Sequence, residues 1–99
     1  MVIIAVTSYP PESANEMAKR FLGQSPLPAG ITAKGPYFNS EVGEGIKSLT
    51  IYEFDESKFV EVHQAIITRY VKYYGVPGFT FTVQPWGDAK ESLKMLGMG

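Results

Sequence analysis

The chain has 99 residues, 44% hydrophobic and 19% charged, and nine Lys and Arg against ten Asp and Glu give a formal net charge of −1. This is the composition of one folded domain with one core, not of a disordered tail. The lack of cysteine excludes disulfide scaffolds, iron–sulfur clusters, thiol nucleophiles and Cys-based zinc sites.

The scattered, balanced charges argue against nucleic acid, which needs clustered Lys and Arg. A single histidine, His63, cannot build a multi-His metal site, so the expectation is no metal and no cofactor. The apolar run at Met1 to Val6 is too short to span a bilayer. No Lys or Arg precedes it, so it does not read as a signal peptide. The expectation is a cytoplasmic protein with no membrane partner.

Val2 to Thr7 is β-branched and uncharged, which suits a central strand buried on both faces. Tyr9-Pro10-Pro11 ends it, and Pro11 suits the first turn of a helix. From Glu12 to Leu22, the positions Ala14, Met17, Ala18, Phe21 and Leu22 form one helical face. Gly23 is the expected stop. Gln24 to Gly30, with two prolines, is a loop. Ile31 to Phe38 is a second strand, and Gly35-Pro36 marks it as an edge or a bulge. Asn39 to Gly45 is a hairpin connection, and Ile46 to Phe54 the third strand.

Asp55 and Ser57 are candidate N-caps for a long helix running to about Tyr74, with Gly75 at its C-terminal cap. On that helix Phe59, Val62, His63, Ile66, Tyr70 and Tyr73 share a face. Val60, Ile67, Val71 and Tyr74 widen it beyond the roughly 100° stripe of a simple surface helix. Phe79 to Gln84 is a fourth strand. Asp88 caps a short last helix in which Ala89, Leu93 and Leu96 share a face, so residues of about 87–97 form a helical tail.

The order is βαββαβ, a single α+β domain over residues 1–99 of ferredoxin-like type. It predicts a four-stranded antiparallel sheet with two helices on one face, the first and third strands central. Strict alternation puts Leu49, Ile51, Glu53, Phe79 and Phe81 under the helices. The uncovered face then carries Ser48, Thr50, Tyr52, Phe54, Thr80, Thr82, Gln84 and Trp86. Threonines with amphipathic aromatics suit sheet-on-sheet packing against a second copy of the chain. The tail either folds back or reaches that copy.

His63 lies in the apolar arc of the long helix, with Tyr70 two turns further on. An imidazole beside tyrosine hydroxyls is a candidate acid–base site. Glu53, if held under the helices, needs a partner, and His63 is one candidate. These three are the candidate catalytic residues, although a lone histidine on such an arc is more often a packing residue. Gly43-Glu44-Gly45 is not followed by a helix and is no phosphate cradle. The third strand, GIKSLTIYEF, lacks the glycines and aromatics of an RNA-recognition domain.

Several stretches together resemble the dimeric α/β-barrel group of ferredoxin-like domains, and within it a set of short bacterial domains of unknown function. They are Tyr9-Pro10-Pro11 after an apolar strand, Arg20-Phe21-Leu22 closing the first helix, and Pro28-Ala29-Gly30-Ile31 opening the second strand. Tyr52-Glu53-Phe54-Asp55 before the long helix and Val83-Gln84-Pro85 complete the set. The resemblance implies a homodimer with a pocket between helices and sheet in each subunit. First-strand residues, Leu49, Ile51, His63, Ile67, Tyr70, Tyr74, Phe79 and Phe81 would line it. It implies a small apolar or aromatic ligand and, if an enzyme, a cofactor-free isomerase or monooxygenase. The alternative is an interaction module without catalysis.

Overall fold

The structure is a computed structural model and describes residues 1–98; the last residue of the expected 1–99 domain lies outside them. Four strands and three α-helices follow in chain order: β1 (Val2–Tyr9), α1 (Ala14–Leu22), β2 (Thr32–Glu41), β3 (Gly45–Glu53), α2 (Phe59–Val71), β4 (Thr80–Trp86) and α3 (Ala89–Met95). They form an α+β domain around one antiparallel sheet of order β2-β3-β1-β4.

Local chemistry accounts for the boundaries. The first helix begins later than Glu12 because Pro11–Ser13 forms a tight turn, closed by the Ser13 amide on the Pro10 carbonyl at 3.0 Å. Before α2, Asp55 accepts from the Ser57 amide at 3.0 Å and caps a similar turn at Glu56–Lys58. At the other end α2 stops at Val71, short of Tyr74. There the Tyr73 and Tyr74 amides reach back only three residues, to Tyr70 and Val71, the tighter winding common at helix ends. The second strand runs on to Glu41 because the connection shrinks to a tight turn, in which Glu44 donates to the Glu41 carbonyl. Gly45 leaves this turn at φ +90°, and a Cβ there would sit 2.7 Å from the Tyr9 carbonyl oxygen. The β2–β3 register shifts between Lys34 and Tyr37, around Gly35-Pro36.

The core lies between the helices and one face of the sheet. Ile3, Ala5, Thr7 and Tyr9 are the buried alternate residues of β1. Above them sit Met17 of α1 and Val62, Ile66 and Tyr70 of α2. The wider flank expected of the long helix is not covered: Val60 is 74% exposed and Val71 40%.

The face of β3 is the reverse of the alternation expected from its apolar residues. Tyr52 pairs with Ile3, Thr50 with Ala5 and Ser48 with Thr7, so these three point under the helices, where Tyr52 and Thr50 are buried. Leu49 and Ile51 pair with Val6 and Ile4 on the uncovered face. Because β1 is apolar on both sides, it does not choose between the two orientations of its neighbour. The larger tyrosine side chain is buried, and its hydroxyl finds a partner on α2. Phe54 lies beyond the end of β3 and packs against Phe59, ring centroids 6.3 Å apart. Thr80, Thr82, Gln84 and Trp86 do lie on the uncovered face, opposite the buried β1 residues' alternates.

Ile66 has no solvent exposure. Ile66→Ala is expected to lower unfolding free energy by about 2–5 kcal/mol. Val60→Ala should change it by less than about 0.5 kcal/mol. Urea denaturation of both variants checks the orientation of α2.

Candidate functional site

Two kinds of residue separate the sheet from its helices. Under α2 the space is filled by rings. Tyr70 stacks on Phe81 with centroids 5.8 Å apart, Tyr73 meets Phe79 at 5.4 Å, and Tyr74 meets Phe81 at 6.0 Å. The pocket expected there is closed by these side chains. Under α1 the facing residues are small, Ala14 and Ala18 on the helix and Ala33 and Gly35 on β2. Side chains of that size cannot span the gap between layers. A cleft of about 400 Å³ opens there, within the size range of small-molecule sites.

The cleft is amphipathic. Met17 and Phe21 of α1, Leu27 of the following loop, and Pro36 and Phe38 of β2 supply an apolar wall. Hydroxyl groups line much of the rest: Thr7 and Tyr9 of β1, Ser48, Thr50 and Tyr52 of β3, and Tyr70 and Tyr73 at the end of α2. Tyr52 and Tyr70 share a hydrogen bond of 2.8 Å between their hydroxyls, and Thr7 is bonded to Ser48 across the β1–β3 ladder.

Arg69 is the one charged residue of the lining among the described residues. Its guanidinium donates from Nη1 to the Ser25 carbonyl, and its own carbonyl accepts from Gln24 Nε2 at 2.7 Å. Arg20 adds a bond from Nη1 to the Tyr74 carbonyl at 2.7 Å. The loop after α1 is thereby tied to the end of α2, which holds the open side of the cleft in shape.

Burial pushes the Tyr52, Tyr70, Tyr9 and Tyr73 phenols above their ordinary pKa, Tyr70 furthest. The Arg69 charge pulls Tyr52 and Tyr70 the other way but does not win. These groups stay protonated at neutral pH, where they serve as hydrogen-bond donors and acceptors rather than bases. No carboxylate or imidazole lines the cleft among the described residues.

Of the candidate catalytic residues, only Tyr70 reaches the cleft. His63 is half-buried and stacks on Phe59, centroids 5.3 Å apart. Glu53 points to the uncovered face, where its carboxylate meets Lys34 Nζ at 2.7 Å. The proposed Glu53–His63 pair therefore does not form. Of the expected pocket residues, Leu49 and Ile51 lie on the other side of the sheet, Phe79 and Phe81 are among the rings that fill the space, and Tyr74 is 60% exposed beside Phe81. Ile67 is half-buried and outside the cleft. Sequence reasoning missed the α1 side. The available signal was Ala14 and Ala18 one turn apart, facing a strand interrupted by Ala33 and Gly35.

Among the described residues, no group of three or more His, Cys, Asp or Glu side chains could hold a metal. Among the described residues, no helix is long and apolar enough to cross a membrane. No family model matches the chain, and no curated protein matches it.

The raised phenols link stability to pH. Above about pH 10 the unfolded chain releases phenolic protons that the folded chain retains, so the unfolded state is favoured. The stabilisation is complete below that pH and is lost as pH rises through the folded values. Unfolding free energy should fall steeply above about pH 10, and the slope should be shallower in Tyr70→Phe. Urea denaturation from pH 8 to 11 measures both slopes.

Proposed function

We propose that this protein binds a small, largely apolar, aromatic molecule in the α1 cleft and works as a homodimer of the ferredoxin-like, dimeric α/β-barrel type. The observation that carries the ligand reading is the cleft itself, lined by apolar side chains and by a row of hydroxyls. A flat ring fits between such walls, and the hydroxyls orient a polar substituent. Binding without acid–base chemistry is favoured, because neither His63 nor Glu53 lies at the cleft and its tyrosines hold their protons. The lack of cysteine suits a cytoplasmic setting.

The uncovered sheet face supports the homodimer. Its centre is Ile4, Val6, Leu49 and Ile51, with Tyr37 at one edge, 59% exposed, and Trp86 at the other, 53% exposed. A contiguous apolar patch of this kind is unusual on a monomer. The radius of gyration is 15.2 Å, against about 13 Å for a compact domain of this length. The excess fits a β2 that is exposed along nearly all its length. A second copy laid on the same face would cover the patch by a two-fold contact.

The favoured alternative is a pure assembly module that uses this sheet face and needs no ligand. The two readings separate in a simple experiment with 2-naphthamide, a neutral aromatic amide, as probe. NMR titration should move the amide signals of Met17, Ala33, Tyr52 and Tyr70, and Ala18→Trp, which fills the cleft, should abolish the shifts. No shift in the parent protein sinks the ligand reading. Light scattering at micromolar concentration should report a dimer that Leu49→Asp converts to a monomer. A monomeric parent sinks the assembly.

A further inference from the structure

A string of hydroxyls contains one more proton than it has internal bonds, so each string keeps one O–H for an outside acceptor. Two such pairs line the cleft, Tyr52 with Tyr70 and Thr7 with Ser48. The second pair lies four residues along β3 from the first, on the same face. Each pair holds a proton that its own bond does not use. No carboxylate of the lining is there to receive it among the described residues.

A positive charge stands beside the first pair. The Arg69 guanidinium is tied by one nitrogen to the Ser25 carbonyl and faces no acid in the cleft among the described residues. It is near enough to Tyr52 and Tyr70 to counter part of the effect of their burial. The far wall, with Met17, Phe21 and Phe38, has no charge. The Tyr52–Tyr70 end of the cleft therefore offers O–H donors and a cation, and the end where Phe38 stands beside Ser48 has no charge.

We propose that the ligand of the cleft is an aromatic monocarboxylate. Its carboxylate is received by the Tyr52–Tyr70 hydroxyls beside Arg69, and its ring lies along the cleft towards Met17, Phe21 and Phe38. Hydrogen bonds from donors to an ionised acceptor are stronger than those to a neutral one. A neutral ligand offers the guanidinium no counter-charge, and an ammonium would meet a like charge. The proposal rests on the reading of the cleft as a ligand site.

Calorimetry with 2-naphthoate, 2-naphthamide and 2-naphthylmethylammonium tests it on one ring system. At pH 7 and low salt, 2-naphthoate should bind at least about tenfold more tightly than 2-naphthamide, and the ammonium more weakly than either. Arg69→Gln also loses the tie to the Ser25 carbonyl, so its readout is the ratio of the two affinities, which should fall to about one. Tyr52→Phe, which keeps the ring and removes one hydroxyl of the pair, should weaken 2-naphthoate about threefold and the amide by less. Equal binding of carboxylate and amide by the parent overturns the proposal and leaves the cleft as a ligand site. A preference for the ammonium overturns it likewise. A preference that survives both substitutions places the anion elsewhere and overturns the assignment. Failure of all three probes to bind removes the cleft as a ligand site, and the proposal with it.

Discussion

Two phenols meet beneath the helices, Tyr52 from the sheet and Tyr70 from α2, and the orientation of β3 follows from that contact. A strand that alternates residues can present either of two faces to the core, and a shift of one residue exchanges them. Here the buried face carries Ser48, Thr50 and Tyr52 beside Ile46, and the outer face Leu49 and Ile51 between Lys47 and Glu53. A buried hydroxyl is costly alone but tolerable when bonded to another. Tyr52 brings the largest area on β3, and Tyr70 supplies the partner that makes burying it acceptable. With Tyr52 inward, Thr50 and Ser48 must also face inward, and the line of hydroxyls in the cleft is the direct result.

The same choice decides what remains outside. Leu49 and Ile51 turn away from the helices and join Ile4 and Val6 on the bare side of the sheet. The chain thus places hydroxyls inside and aliphatic residues on a face that no helix covers. The second half of that arrangement makes sense once another surface lies on it, which ties the proposed dimer to the tyrosine pair. The cleft and the dimer face are two sides of one alternation.

The helices contribute a second asymmetry. Over β1 and β4, α2 packs with rings that fill the layer. Over β2 and β3, α1 presents alanines and leaves it open. Packing at crystal-like density needs side chains that add up to the gap, and on the α1 side they do not. The ties from Arg20, Gln24 and Arg69 then keep the opening from collapsing, because they hold the loop after α1 to the end of α2.

Much of this fold was legible in the chain. The apolar β-branched first strand, the Pro11 helix start, the Asp88 cap and the interruption at Gly35-Pro36 are local signals, and each acts through neighbours a few residues away. The ends of elements were displaced where tight turns replaced full helical ones, as at Pro11–Ser13 and Tyr73. The inward side of β3 was not legible, because Leu49 and Ile51 argue for one face and Tyr52 for the other. Only the distant Tyr70 hydroxyl decides between them. His63 drew attention as the lone histidine on an apolar arc, yet its ring rests on Phe59, outside the cleft. Sequence by itself determined the order of strands and helices, since short-range sterics and periodicity set those. Tertiary structure alone decided where the cavity opens and what lines it, since a cavity is a mismatch between side chains that meet only across layers.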